Sequence, residues 1–245
     1  MTGPVVAAFL VHWNAPEWCV ESVGTLLASE GVAVHVGVIN NAGSIRLPAT
    51  VAVVETGRNL GFTGGANVGL HLAVEIGAPF VFIGCHDVRL SPSSLTAMVD
   101  HLISDPQLGI VGPVIDAAGS SESNLDWISG TAMLMRAEVA RALRFDERWD
   151  SYVEDVDFCY RARDLGWRVG RTGNAQATTC GSVDENRATH MMHSNTLVFF
   201  IRRRMWRDAT KRLVLLLRER RWRTLARGLG RVVTFPFAGG NRGTA

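Results

Sequence analysis

The chain has 245 residues, of which 47% are hydrophobic, and its formal net charge is +2. This length predicts one large domain, or one domain with an appendage, and the hydrophobic content is sufficient for a buried core. No stretch of about 18 residues is free of charge, so the sequence predicts no transmembrane span. The first residues show neither a basic leader nor a small-residue cleavage site, and the four cysteines lack CxxC spacing. These features favour a cytoplasmic protein with reduced thiols.

Seven elements are predicted in chain order from the apolar spacing. They are strand 5–12, helix 17–29, strand 32–39, strand 51–55, helix 66–76, strand 80–84 and helix 91–104. Strands that alternate with helices predict an α/β fold with a mostly parallel, doubly wound sheet. Ligands of such sheets bind beyond the carboxyl ends of the strands. The polar residues expected there lie in segments 12–14, 40–44 and 85–87.

A glycine-rich segment spans residues 58–69 and precedes the second predicted helix. Its glycines allow close approach of the backbone to a ligand, and a helix beginning near Gly65 would offer N–H groups to a phosphate. The segment matches neither the Walker A nor the GxGxxG pattern. The alternative interpretation is an ordinary glycine-rich turn.

Two further segments are candidates for binding. The apolar strand 80–84 leads to Asp87, a carboxylate placed to hold a divalent metal that bridges two phosphates, although it could be a simple loop residue. Segment 127–136 has small residues before an apolar run. It fits either a wall against a ligand or an interior strand after a turn.

Three carboxylates lie within four residues, at Glu154, Asp155 and Asp157, where an amphipathic run begins. Their mutual repulsion is costly unless a cation, a polar substrate or a proton is shared among them. A helix N-terminus keeps carboxylates ionised and oriented, which suits a general base. The alternative is a helix N-terminus with more acidic residues than capping needs.

In their order and spacing these segments resemble the family-2 inverting glycosyltransferases with the GT-A fold, most closely the rhamnosyltransferase-like bacterial branch. The resemblance covers about residues 3–205. It is carried by Asn59-Leu60-Gly61-Phe62 with Gly65, Asn67 and Gly69. It is also carried by Phe145-Asp146-Glu147, by Glu154-Asp155-Val156-Asp157-Phe158-Cys159-Tyr160-Arg161 and by Gly166-Trp167-Arg168-Val169.

The resemblance implies transfer of a sugar from a nucleotide-diphosphate sugar to a hydroxyl acceptor, with Asp155 as general base and Glu154 assisting. It implies Mg²⁺ or Mn²⁺ at Asp87, and Trp127, Gly130 and Asp157 at the acceptor. The predicted donor-binding residues are Asn14, Asn40, Asn41, Arg58, Asn59, Gly65, Asn67 and Asp87.

The chain departs from the family pattern at three places. Asn40 stands where an Asp helps hold the nucleotide, Cys85-His86-Asp87 replaces a run of carboxylates, and Cys180 stands where a His is frequent. His86, His190 or His193 could then add metal ligands. Two alternatives stay open: a catalytically impaired nucleotide-sugar binder or assembly protein, and another nucleotide-sugar enzyme such as a nucleotidyltransferase.

The C-terminal segment differs from the rest in charge. Residues 202–231 hold 12 basic residues and only Asp208 and Glu219 as acids, a net charge of +10, whereas residues 1–201 carry −9. We therefore expect a GT-A domain at 1–201 and a basic amphipathic helical segment at 202–245. That segment suits an anionic membrane surface at the inner face of the membrane, the acidic body of the chain, or a homodimer. No nucleic-acid motif accompanies the charge, so we expect no nucleic-acid partner.

Overall fold

A computed structural model describes residues 3–115, 127–149, 151–180 and 185–234, and these contain eight strands and eight helices. The strands are β1 (Val5–His12), β2 (Ala33–Asn40), β3 (Ala52–Glu55), β4 (Phe80–Cys85), β5 (Arg89–Leu90), β6 (Leu108–Ile115), β7 (Ala132–Arg136) and β8 (Arg168–Thr178). The helices are α1 (Pro16–Leu27), α2 (Gly61–Ile76), α3 (Ser94–Ser104), α4 (Ala137–Ala142), α5 (Glu154–Asp164), α6 (Glu185–Arg202), α7 (Trp206–Arg218) and α8 (Trp222–Thr234).

The eight strands form one sheet in the order β3-β2-β1-β4-β7-β6-β8-β5. The half that contains β3, β2, β1 and β4 is entirely parallel. β7 runs antiparallel to both β4 and β6, and β6 pairs with β8 in parallel. The predicted α/β fold is confirmed, and four of the seven pairings of the described strands are parallel.

β1 lies in the interior of the sheet because both of its faces are apolar. Val6, Ala8 and Leu10 belong to the core on one face, and Phe9 and Val11 belong to the core on the other. A strand covered on both faces has a continuous apolar sequence, which is why the run was readable as a strand.

α2 begins at Gly61, so the prediction that this helix starts near Gly65 was wrong. A Cβ at Gly65 would lie 2.7 Å from a Val11 methyl, and one at Gly69 would lie 2.9 Å from the Phe9 Cβ. The glycines therefore let the helix pack directly on β1. The predicted helix 91–104 is also shorter than expected, because it begins at Ser94 after the turn that contains Pro92.

The chain divides into two compact units, one of residues 1–147 and 154–181 and the other of residues 148–153 and 182–245. The first unit holds the sheet and α1 to α5. In the second unit α6, α7 and α8 pack around Leu197, Ala209, Leu216 and Leu225. The functional boundary after residue 201 stays a prediction. No described helix combines the length and apolar character needed to span a membrane.

Candidate active site

Four chain segments meet at the carboxyl edge of the parallel strands. β1 ends at His12, β2 at Asn40 and β4 at Cys85, in parallel register. The start of the antiparallel strand β7 joins them, because the Cys85 N–H donates to the Thr131 carbonyl at 3.0 Å. The polar segments that were expected at this edge are therefore brought together with the small residues before β7.

The carboxylate of Asp155 is held by two backbone groups. The Gly130 N–H donates to its Oδ2 at 2.9 Å, and the Val156 N–H donates to its Oδ1 at 2.8 Å. A Cβ on Gly130 would lie 2.8 Å from the Phe62 ring and 3.5 Å from the Asp155 Cβ. Only glycine allows this close approach. Asp155 also lies in the first turn of α5, where the partial positive charge of the helix favours the ionised carboxylate.

Glu154 differs from its neighbour, although both are carboxyl groups. Its side chain is buried, and its Oε2 has no hydrogen-bond partner among the described residues. Burial, and then the charge of Asp155, raise the pKa of Glu154 to about 8. Glu154 is therefore protonated at neutral pH, so it does not compete with Asp155 for a proton from a substrate.

Asp87 lies in the turn that follows β4, where it is half-buried. Its carboxylate makes no hydrogen bond or ion pair to any described residue. Burial, and then the charges of Asp87 and Glu154, raise the pKa of the Cys85 thiol, which indicates that these acids share one region. Burial lowers the pKa of His86, so this imidazole is neutral near pH 7.

The donor set fits a divalent metal of the Mg²⁺ type. Within the described ranges no three His, Cys, Asp or Glu side chains are grouped as a metal cage. Mg²⁺ is usually bound by one or two carboxylates together with substrate phosphates and water. Asp87, which has no partner among the described residues, can supply one such carboxylate. His190 and His193 have other partners, Thr224 and Arg212, in the second unit.

The chain is similar to known glycosyltransferases in sequence and in fold. No protein-family model matches the chain. N-acetylglucosaminyl-diphospho-decaprenol L-rhamnosyltransferase of two Mycobacterium tuberculosis strains, CDC 1551 / Oshkosh and ATCC 25618 / H37Rv, is 25% identical, over 62% of this chain and 67% of each relative. The mannosyltransferase PcManGT of Pyrobaculum calidifontis, solved with GDP-Man and Mn²⁺, is 15% identical. It superposes with a TM-score of 0.68 over 97% of this chain and 76% of its own. S. aureus TarS 1-349 in complex with UDP is 13% identical, with a TM-score of 0.59 over 82% and 72%.

The chain has the GT-A glycosyltransferase fold. The M. tuberculosis relatives, which are named rhamnosyltransferases, confirm the resemblance to the rhamnosyltransferase-like branch.

Two buried asparagines lie at the carboxyl end of β2 in this GT-A fold. Asn40 Oδ1 is 2.7 Å from His12 Nδ1, and Asn40 Nδ2 donates to Gly43 O and to the Glu55 carboxylate. Asn41 Nδ2 donates to Gly61 O at 2.9 Å, and its Oδ1 accepts from the Leu60 N–H at 3.3 Å. Asn41 thus fixes the loop that enters α2. The predicted donor contacts of both residues stay predictions. The bonds described here show that each residue also holds neighbouring backbone or side chains in place.

Three other predicted donor residues line one cavity of the GT-A domain. The cavity, of about 630 Å³, is bounded by Arg58, Asn59, Asn67, His71 and Glu147, together with apolar residues of β3 and α2. Asn67 exchanges two hydrogen bonds with the Phe145 backbone, at 2.8 and 3.0 Å, and donates to Glu147 at 2.9 Å. Asn67 therefore anchors the Phe145-Asp146-Glu147 segment beside α2.

The other predicted contacts have varied surroundings. Asn14 is exposed, with φ of 56° in the turn after β1, and Gly65 packs on Val11 as described. Trp127 is partly buried against the apolar core. Asp157 accepts from Arg161 Nε at 2.8 Å one helical turn away. The donor role of Asn14 and Gly65 and the acceptor role of Trp127 and Asp157 stay predictions.

Sequence reasoning missed Glu55, which ends β3 directly opposite Asn40 in the parallel register. The available signal was its position, since Glu55 is the carboxylate at the end of the strand next to β2. In the family pattern the acid stands at the end of β2, at the position of Asn40. Here the carboxylate stands at the end of the neighbouring strand, β3.

Proposed function

We propose that this chain is an inverting family-2 glycosyltransferase that moves a sugar from a nucleotide-diphosphate sugar to an acceptor hydroxyl. One observation carries the proposal: at the carboxyl edge of a GT-A sheet, the Gly130 N–H holds the Asp155 carboxylate, and the neighbouring Thr131 carbonyl accepts from Cys85, two residues before Asp87. The named glycosyl transfer of the M. tuberculosis relatives supports it, as do the GDP-Man and UDP of the structural neighbours.

Asp155 acts as the general base. As the acceptor oxygen attacks the anomeric carbon, its proton moves to a carboxylate oxygen of Asp155. The bond between the anomeric carbon and the diphosphate oxygen breaks on the opposite face, so one displacement inverts the anomeric configuration. A positioned carboxylate base contributes about 10²- to 10⁴-fold to such a rate.

The neighbouring groups keep this base in position and ionised. The N–H groups of Gly130 and Val156 each donate to one oxygen of the carboxylate, which fixes its orientation. Neutral Glu154 adds no second negative charge next to the base at neutral pH. The acceptor hydroxyl would then approach along the edge of the sheet that Gly130 borders.

Asp87 would hold the divalent metal. A bound Mg²⁺ or Mn²⁺ would neutralise charge on the nucleoside diphosphate leaving group. Since Asp87 has no partner among the described residues, binding a metal there breaks no bond to any of them. Arg58 and Asn59, which border the cavity beside α2, are the predicted contacts for other polar parts of the donor.

The name of the M. tuberculosis relatives suggests which acceptor should be tested first. Those proteins act on N-acetylglucosaminyl-diphospho-decaprenol and transfer L-rhamnose. We therefore propose a polyprenyl-diphosphate-linked sugar as the acceptor class, with its free sugar hydroxyl as the nucleophile. An L-rhamnosyl nucleotide is accordingly the first donor to try.

The test has two stages. A thermal-shift screen of UDP-, GDP- and dTDP-sugars, with and without Mn²⁺, identifies a donor that binds the folded chain, because such a ligand raises the midpoint. The anomeric configuration of the transfer product is then read by NMR. An inverted anomer is expected, and a retained anomer would reject the inverting mechanism. Donor binding without any transfer would favour the catalytically impaired binder instead.

A further inference from the structure

In the second unit, one side of α7 and α8 packs on α6. Ala209 and Leu216 of α7, with Leu225 of α8, are buried against Leu197 of α6. A Cβ on Gly228 would lie 3.3 Å from a Leu197 methyl and 3.4 Å from the Ser194 carbonyl, so α8 approaches α6 closely. The inner faces of both helices are therefore buried within this unit.

The outer side of α8 carries an apolar stripe that no described residue covers. Trp222, Leu229 and Val233 are 59%, 48% and 84% exposed, and Ala226 between them is also exposed. Their spacing of i, i+4, i+7 and i+11 places all four on one side of the helix. We refer to Trp222, Ala226, Leu229 and Val233 as the α8 stripe. Isolated exposed apolar residues are ordinary, but a continuous stripe of this kind indicates a binding surface.

α7 presents a similar surface with fewer apolar residues. Trp206 is 59% exposed and Leu217 is 39% exposed, and they are eleven residues apart on one side of the helix. Two tryptophans therefore begin the two helices, each with its indole ring largely accessible. Tryptophan, like tyrosine, is enriched where apolar and aqueous phases meet, because its ring is apolar and its N–H is polar.

The charge around these apolar residues is strongly positive. Asp208 and Glu219 are the acids of segment 202–231, and each is paired with a neighbouring cation, Lys211 at 3.7 Å and Arg221 at 2.5 Å. Arg207, Arg218 and Arg223 are exposed and make no ion pair with any described residue. The surface thus combines apolar side chains with guanidinium groups that have no counter-charge in the described parts of the chain.

We propose that the outer surface of α7 and α8 binds an anionic lipid bilayer, with both helices lying in the plane of the interface. Apolar side chains on one side of a helix enter the boundary between headgroups and acyl chains, while arginines reach anionic headgroups through their long stems. Positive charge attracts the surface, and the α8 stripe provides the apolar contact.

Two other occupants fit this surface less well. A second copy of the chain would bring two segments of net charge +10 together, and like charges across an interface oppose association. The phosphates of a nucleic acid would bind the arginines, but the aliphatic side chains of Leu229 and Val233 would have no apolar partner. The bilayer is the partner that uses both features.

The experiment is flotation of the full-length protein with vesicles. One set contains equal parts of phosphatidylglycerol and phosphatidylcholine, and the other contains phosphatidylcholine alone. We expect binding to the first set, weakened by high salt, which shortens the screening length to about 3 Å at 1 M. The Arg207→Gln, Arg218→Gln, Arg223→Gln triple variant should partition about a hundredfold more weakly.

The apolar contribution is tested separately. Leu229→Ser with Val233→Ser should lower partitioning at least tenfold. The matched control Ile103→Ser, which replaces an exposed residue of α3 in the other unit, should bind as wild type. Circular dichroism should report the same fold for each variant, because the replaced side chains are exposed. Equal binding to both vesicle sets, no binding to either, or wild-type binding by the stripe variant would each overturn the proposal. It would also be overturned by sedimentation of the wild type as a dimer that the stripe variant abolishes.

Discussion

Asn40 and Glu55 face each other at the ends of β2 and β3, with Asn40 Nδ2 donating to the two carboxylate oxygens of Glu55 at 3.0 and 2.9 Å. Since Nδ2 also donates to Gly43 O, the amide nitrogen is the donor at this position and Oδ1 faces His12. The proton of His12 must then reside on Nδ1 in the neutral ring. Glu55, on the outer strand, therefore supplies the negative charge at this corner of the site.

The first prediction follows from this pair. Asn40→Asp, which restores the acid of the family pattern, should destabilise the protein. Two carboxylates would then face each other about 3 Å apart, and the bonds that Nδ2 donates to Glu55 and to Gly43 would be lost. We expect a loss of about 1–3 kcal/mol above pH 6, measured by denaturant unfolding.

A double-mutant cycle provides the control for this prediction. Glu55→Gln removes the opposing charge, so Asn40→Asp combined with Glu55→Gln should recover most of the lost stability. If Asn40→Asp is as stable as wild type, or if the double variant is worse than the single one, the pairing has no energetic importance.

The second prediction concerns the proposed base. Asp155→Asn keeps a side-chain oxygen for the Gly130 N–H, so the fold and donor binding should persist. Turnover should fall at least about a hundredfold, because the amide cannot take a proton. Asp100→Asn, on the exposed side of α3, is the matched control and should retain wild-type activity. Near-normal transfer by Asp155→Asn would assign the base to another carboxylate.

The third prediction concerns the metal. Asp87→Ala should weaken binding of a nucleoside diphosphate in the presence of Mn²⁺ and should make that binding insensitive to EDTA. Isothermal titration with and without EDTA gives both quantities. The side chain has no partner among the described residues, so the thermal midpoint of the unliganded variant should stay close to that of wild type. A wild-type affinity that EDTA does not change would contradict a metal at Asp87.

Much of the parallel half of the sheet is predictable from the sequence because β1, β4 and most of β2 are buried. The predicted strand 5–12 coincides with β1, and the prediction for β2 differs by one residue at each end. The antiparallel direction of β7 was not predictable, since an apolar strand carries no local signal for direction. The first turn of α2 was missed because glycines usually end helices. Here Gly65 is favoured by tertiary contact with Val11.

In the site, too, features formed by neighbouring residues were predictable, and features formed by residues distant in sequence were not. The acidic cluster at the start of α5 and Asp87 after β4 could be singled out because each is visible in a short stretch of sequence, and their roles stay predictions. The bond between Gly130 and Asp155 joins positions 25 residues apart, and the pair Asn40 and Glu55 depends on strand register. The protonation of Glu154 depends on burial, which a single sequence does not show.

The fourth prediction tests the close approach at Gly130. In Gly130→Ala the new methyl group would lie within 3 Å of the Phe62 ring, so either the ring or the β7 turn must move. The displacement should lengthen the N–H contact to Asp155 and lower kcat at least tenfold. Overpacking should also lower the free energy of unfolding by about 1–3 kcal/mol. Phe62→Leu in the same chain should relieve the clash and restore part of the activity. If activity stays at the wild-type level in Gly130→Ala, the geometry at this contact does not matter for turnover.

The last prediction concerns Glu154 and pH. Burial and the charge of Asp155 raise the pKa of Glu154 from 4.5 to about 8, so between these values the folded state binds more protons than the unfolded state. The stability that Glu154 contributes should therefore be fully present below about pH 4.5 and should be lost as pH rises towards 8. Glu154→Gln, which is neutral at every pH, should remove this loss. Its thermal midpoint should match wild type near pH 5 and exceed it near pH 9 by roughly 2–4 °C for each kcal/mol regained. Parallel curves for the two proteins from pH 5 to about 9 would mean that Glu154 is ionised when folded.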